Sequence, residues 1–269
     1  MKNDESTWYV ESGDWQAECL LAASNDEAFA RFRQLPMIRT VVENRQAECL
    51  LPPRPAWRAA LSSMPSLPDF LERIAENDRV GGAVRDFEAL PGLWISATTA
   101  FYAVDLAAIH DLFGPLDEMR IAEIGGGYGG MASIVTRYFG DVNYTIFDTP
   151  EANALQRRYL TEMGRRGVCF SDQILNLGRF DLVLSTCALC ELTDSAKDEY
   201  ARCVLARSER GFLVWNSGGS RPWFHGKDRV VPWLDATLSP RKAFCFSDVP
   251  YLAEAWREMA PERYAWGTV

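Results

Sequence analysis

Between residues 119 and 215 the apolar positions follow two alternating rhythms. Residues 119–124, 144–147, 168–171, 182–184 and 212–215 are short apolar runs bounded by glycine or polar residues, the pattern of buried strands. Residues 128–139, 149–163 and 194–208 carry a longer, mixed period that predicts helices. Thr149-Pro150-Glu151 marks the second of these sharply, with a capping residue, a proline at the first position and an acid in the first turn. Strands alternating with helices predict an α/β fold around a mostly parallel sheet with right-handed crossovers. Residues 243–246 and 264–269 have the look of two last strands, with 252–259 helical between them. The stretch 216–229, rich in Gly and Ser, reads as a loop.

The first 92 residues have a different texture. Residues 14–35 and 37–51 read as two amphipathic helices stopped by Pro36 and by Pro52-Pro53. The hexapeptide Gln-Ala-Glu-Cys-Leu-Leu occurs at 16–21 and again at 46–51, but its flanks differ and no third copy follows, so no repeat architecture is implied. Prolines at 52, 53, 55, 65 and 68 and the Gly81-Gly82 pair then break the chain into short pieces. Trp8, Trp15, Trp57 and Trp94 suit either the packing of a helical layer or the lining of a substrate groove. Residues 96–112 read as a longer helix that Gly114-Pro115 ends.

The chemistry concentrates where the first strand of the alternating region ends, in Glu123-Ile124-Gly125-Gly126-Gly127-Tyr128-Gly129-Gly130. Strand, glycine turn and helix N-terminus together offer backbone N–H groups to a ligand, and glycine lets the backbone approach it closely. Gly125, Gly127 and Gly130 fit the G-x-G-x-x-G spacing of a dinucleotide turn. Glu123 argues for a different ligand. A carboxylate there repels a pyrophosphate and attracts the sulfonium and ammonium groups of S-adenosylmethionine (SAM). A glycine turn without any ligand is the plainest alternative. Asp148 ends the second strand, 25 residues beyond Glu123, where an acid can accept ribose hydroxyls. Asp172, ending the third strand, is placed either for an adenine amino group or for a turn. Ser185 ends the fourth.

Composition narrows the partners. The chain has 269 residues, a net charge of −9 and a pI near 4.9, which predicts no nucleic-acid partner, because phosphates call for a basic footprint. No apolar run is long enough to span a bilayer and the N-terminus lacks a signal-type core, so a cytoplasmic protein without membrane contact is expected. Seven scattered cysteines include one C-x-x-C, Cys187 to Cys190, with neither a second pair nor a histidine pair to close a zinc site. No metal is expected.

The E-x-G-x-G run resembles motif I of class I SAM-dependent methyltransferases. With Phe147-Asp148-Thr149-Pro150-Glu151, Leu155-Gln156-Arg157-Arg158-Tyr159-Leu160, the segment 184–192, Glu199-Tyr200 and 211–216, it is similar to a family of sugar O-methyltransferases with E-I-G-G-G-Y-G-G, D-L-P-E…L-Q-x-x-Y-L, S-N-x-A-x-S-E-L and G-Y-x-x-x-N patterns. Thr149, Thr186 and Cys190 depart from those patterns. The resemblance implies a Rossmann-like class I methyltransferase sheet with an N-terminal helical cap: a cap or substrate region over 1–92, a connecting helix over 93–117 and a SAM-binding domain over 118–269. It implies methyl transfer to a hydroxyl of a sugar or sugar-bearing small molecule. A nitrogen or non-sugar hydroxyl acceptor, and a non-catalytic SAM-fold partner in a biosynthetic complex, remain alternatives, and a homodimer is compatible with either. The expected cofactor residues are Glu123, Gly125, Gly126, Gly127, Tyr128, Gly129, Asp148, Thr149, Asp172 and Ser185. Candidate bases for the acceptor hydroxyl are Glu191, just past the fourth strand, and His225, in the loop after the fifth.

Overall fold

The computed structural model describes residues 13–43, 54–174, 178–216, 227–245 and 262–267. Its elements run α1 (Gly13–Ser24), α2 (Asp26–Ala30), α3 (Pro36–Val41), α4 (Arg54–Ala60), α5 (Leu67–Ala75), β1 (Phe87–Leu90), β2 (Leu93–Ile95) and α6 (Ala97–Phe113). The alternating part follows: β3 (Arg120–Ile124), α7 (Gly130–Tyr138), β4 (Asn143–Phe147), α8 (Pro150–Glu162), β5 (Val168–Ser171) and β6 (Phe180–Thr186). It continues through α9 (Ala188–Glu191), α10 (Asp194–Cys203), β7 (Ser208–Trp215), α11 (Lys227–Leu238), β8 (Ala243–Cys245) and β9 (Glu262–Trp266).

Among the described residues the main sheet has seven strands in the order β5-β4-β3-β6-β7-β9-β8. The first five are parallel, and β9 runs antiparallel to both of its neighbours. The chain order reverses beside β3: β4 and β5 lie to one side, β6 and β7 to the other. Ligands of open α/β sheets bind beyond the carboxyl ends of the strands at such a point, and the glycine turn leaves β3 there. This is a Rossmann-like α/β fold, as the alternation of periods predicts.

Strand residues of opposite parity serve two cores. Ile121, Tyr144, Ile146, Leu182 and Leu184 face one layer; Ala122, Ile124, Phe147 and Val183 face the other. The first layer is built from α7 and α8 and from described residues between Trp15 and Leu116, in one continuous apolar cluster. Trp57 shows how that stretch is pinned. Its ring is fully buried, and its indole N–H, which burial would otherwise strand, donates to Ala100 O on α6 at 2.9 Å. α1 docks on α8, where Arg158 donates to the carbonyls of Ala22 and Ala23 at 3.2 Å, lies over the Phe29 ring at 4.1 Å and pairs with Asp26.

The N-terminal third departs from the sequence reading in three places. The helix expected over 14–35 is broken at Asn25, whose side chain accepts from Ala28 N and caps a separate α2. The helix expected over 37–51 starts instead at Pro36 and ends at Val41, and 44–51 lie outside the described residues. Residues 87–95, expected to be helical or turn, form an antiparallel hairpin of β1 and β2 about Pro91-Gly92, with Gly92 at φ +81°. Farther on, Lys227–Arg229 belong to α11 and not to a loop. Trp15 and Trp57 pack inside while Trp94 is exposed; Trp8 lies outside the described residues. No described helix is long and apolar enough to cross a membrane.

Candidate cofactor site

The turn after β3 takes its shape from its glycines. Gly125, Gly127 and Gly129 have φ of +74°, +56° and +96°, a region L side chains rarely enter. Gly125 N donates to Phe147 O at 2.9 Å and ties the ends of β3 and β4 together, and Gly129 N donates back to Gly126 O at 2.8 Å. Close packing adds a second demand. A Cβ on Gly125 would stand 2.0 Å from Ala188 Cβ, and one on Gly126 would stand 2.7 Å from Ile146 Cγ2. A Cβ on Gly127 would meet Val42 Cγ2, from the N-terminal region, at 3.4 Å.

Asp148 is the hub of this turn. Its Oδ2 accepts from Gly126 N at 2.9 Å and from Gln156 Nε2 at 2.8 Å, and its Oδ1 accepts from Thr149 N at 2.8 Å. Gln156 Nε2 also donates to Gly127 O at 3.0 Å, and Asn153 Nδ2 to Asp148 O at 3.1 Å. The other oxygens of these two amides, Gln156 Oε1 and Asn153 Oδ1, are buried without a hydrogen-bond partner. An unsatisfied buried acceptor is costly and calls for an explanation. Two such acceptors beside one carboxylate suit a ligand that brings hydroxyl or ammonium donors. Sequence reading missed both roles, although Gln156 sits in the quoted Leu155–Leu160 run and Asn153 lies one helical turn before it.

Glu123 faces the interior, on the same side of the sheet as Ile121, and is 2% exposed. Tyr144 Oη donates to its Oε2 at 3.0 Å. Burial pushes its carboxyl up to about 8, the negative charge of Asp148 adds to this, and the tyrosine hydrogen bond partly offsets it. The charge on which the choice between SAM and a pyrophosphate turns is therefore largely held as a neutral acid in the ligand-free protein near pH 7. Other acids stand close. Burial, then the charges of Asp148, Glu18 and Glu151, push the Cys19 thiol of α1 far up.

The remaining expected residues divide between the turn and the core. Tyr128 is fully buried with its ring turned into the first layer, which leaves its backbone to face a ligand. Thr149 caps α8, its Oγ1 accepting from Ala152 N. Ser185 Oγ donates to Ile124 O at 2.9 Å and accepts from Leu189 N at 3.1 Å, clamping α9 against the end of β3. Asp172 is exposed just past β5; β5 and β4 end side by side, where Asp148 N donates to Ser171 O at 3.0 Å. Glu191 ends α9, whose first residue abuts Gly125, and is partly exposed. Cys190 is buried with its thiol on Cys187 O. His225 lies outside the described residues.

The fold and this turn define the class: the chain has the Rossmann-like fold of class I SAM-dependent methyltransferases. No family model and no curated protein matches it. Among solved structures it is similar to the pyocyanin biosynthetic protein PhzM, at 13% identity over 88% of this chain and 75% of that one, with a TM-score of 0.45. A candidate RNA methyltransferase from Pyrococcus horikoshii matches at 13% identity over 64% and 85% of the two chains, TM-score 0.44. A phosphoethanolamine N-methyltransferase of Haemonchus contortus, solved with S-adenosylhomocysteine, matches at 16% over 57% and 40%, TM-score 0.42. Likeness at this level speaks to the fold alone. It does correct one expectation. The acidic net charge predicts no nucleic-acid partner, yet the proteins similar in fold include a candidate RNA methyltransferase. Net charge sums over the whole surface and does not describe the local potential at one site, so that exclusion is withdrawn.

Proposed function

We propose that this chain is a SAM-dependent methyltransferase acting on a small molecule. The observation that carries the reading is the acceptor cluster beside the glycine turn: the Asp148 carboxylate with the unpartnered oxygens of Gln156 and Asn153. Such a cluster suits a cationic ligand with ribose hydroxyls and opposes a pyrophosphate. The left-handed glycines let the ligand lie against the backbone. SAM supplies an electrophilic methyl group on sulfur. The protein's part is to align the acceptor with it and to exclude water. Glu191, on the short helix packed against Gly125, is the candidate base for the acceptor's proton. The six described cysteines are free, which fits a reducing compartment such as the cytoplasm.

Within that class a sugar hydroxyl is the acceptor that the 123–130, 147–160 and 184–192 runs favour. A nitrogen or a non-sugar hydroxyl is the second reading. It is kept open by the departures of Thr149, Thr186 and Cys190 from the sugar-family pattern. The N-terminal third, packed against the face of the sheet that carries the turn, is the part that covers the acceptor in either case.

Calorimetry with SAM and with NAD tests the reading. Saturable SAM binding is expected, weakened at least ~10-fold in Asp148→Ala, which loses the hub of the turn and a charge-assisted bond worth about 1.5–3 kcal/mol. Preference for NAD, or no SAM binding, overturns it. Labelled SAM offered with nucleotide sugars, amines and phenols then separates the two acceptor readings.

A further inference from the structure

A buried polar cluster outside the turn joins residues far apart in sequence, and it ends on the turn. Arg33, with no side-chain exposure, donates Nε to Glu43 Oε1 at 2.5 Å, Nη1 to Asp78 Oδ1 at 2.7 Å and Nη2 to Ser96 Oγ at 2.8 Å. Asp78 also accepts from Ser96 N and from Thr99 Oγ1. Asn77 Nδ2 donates to Tyr128 Oη at 3.1 Å, and the Arg33 guanidinium lies 4.8 Å from the centre of the Tyr128 ring. Tyr159 of α8 donates its hydroxyl to Asn77 Oδ1 at 2.6 Å and meets the Tyr128 ring edge-on at 5.0 Å.

Tyr128 is thus held on both of its polar handles, ring face and hydroxyl, by residues from the N-terminal third. It is flanked by Gly127 and Gly129, two of the three glycines whose left-handed backbone shapes the turn. Fixing the side chain between them limits how far their peptide planes can rotate. Tyr159 holds the same cluster to α8, the helix that supplies Gln156 to Gly127 O and Asp148.

We propose that Arg33 and Asn77 are positioning residues for the cofactor turn: through Tyr128 they set the backbone of Gly127–Gly129, so that SAM affinity depends on a region that contributes no residue to the strand-turn-helix itself. The inference rests on the reading of the turn as a SAM site for its affinity prediction, and on the geometry alone for its backbone prediction.

Amide hydrogen exchange of the ligand-free protein separates the two. Tyr128→Phe removes only the hydroxyl that Asn77 holds, and Arg33→Lys keeps the charge but loses the fork. Both are expected to speed exchange of the 125–130 amides at least ~10-fold while the sheet strands stay protected, and Tyr128→Phe is expected to weaken SAM binding about 5- to 10-fold. Asp105→Asn, in the buried pair with Arg263, which makes no contact with Arg33, Asn77 or Tyr128 among the hydrogen bonds and ion pairs described, serves as a matched destabilised control and is expected to leave exchange at 125–130 unchanged. Unchanged exchange in Tyr128→Phe, or the same acceleration in Asp105→Asn, overturns the proposal even if SAM binds. Accelerated exchange in a protein that never binds SAM upholds the positioning and overturns the function instead. If Arg33→Lys does not fold, Tyr128→Phe alone decides.

Discussion

The two faces of the sheet solve the same packing problem in different ways. Behind the glycine turn, Arg33, Asp78, Asp105, Glu123 and Arg263 are charged or ionisable groups buried among aromatic rings, held by hydrogen bonds that span the chain. On the opposite face, Trp215, Tyr264, Trp266 and Phe147 pack against α10 and α11 in a mainly apolar layer. Lys197 is the one buried charged side chain there among the described residues, and its partner Asp194 is largely in water. An apolar layer tolerates small shifts of its contents, whereas a buried ionic network has one arrangement that satisfies all its members. The lesson is that geometry is fixed most tightly where the ligand turn sits.

The sharpest way to break the contrast is to make the same substitution on each face. Arg33→Met is expected to cost about 3–5 kcal/mol, because it strands two buried carboxyl groups. Lys197→Met is expected to cost no more than about 1 kcal/mol, since the carboxylate it leaves is already solvated. Urea denaturation measures both, and equal losses would erase the distinction.

A smaller effect concerns Glu123. Its folded value, pushed up to about 8, lies above the ordinary carboxyl value of about 4.3 in the unfolded chain. The folded protein therefore holds a proton that the unfolded chain releases first. The stability this gives is fully present below about pH 4.3 and is lost as pH rises through 8. Melting curves from pH 5 to 9 should show the wild type losing ground to Glu123→Gln across that window, and parallel curves would refute the assignment. Because SAM carries positive charge, its binding should draw off this proton, and wild-type affinity should rise towards pH 8 in a way that Glu123→Gln does not share. Least of all is expected at Arg31, exposed and paired with Glu27 one turn away. Arg31→Ala should shift stability by less than about 0.5 kcal/mol in the same denaturation experiment.

What could be read from sequence was whatever is encoded locally. The run from Glu123 to Gly130 and the Thr149-Pro150-Glu151 start both carry their signal within a few residues, and both stand where expected. The β1–β2 hairpin escaped because each strand is only three or four residues long and one places Trp94 in solvent. The break at Asn25 was hidden by apolar spacing that continues across it. Most of the ionic cluster was illegible in principle, since Arg33, Asp78 and Ser96 meet only in the folded chain. The inward turn of Glu123 depends on which parity of β3 faces the more polar layer, and that is a tertiary fact.

One feature of the sheet bears on how the protein is made. β9 follows β8 in the chain but lies between β8 and β7. A ribosome therefore delivers β8 before the strand it must pair with exists, and until β9 threads in, two ladders of open amides and carbonyls face the cell. Arg263, on β9, reaches across to Asp105 of α6 at 2.9 Å, so that strand also supplies the partner of a buried acid far earlier in the chain. Seating β9 therefore both joins β8 to the sheet and gives Asp105 its partner.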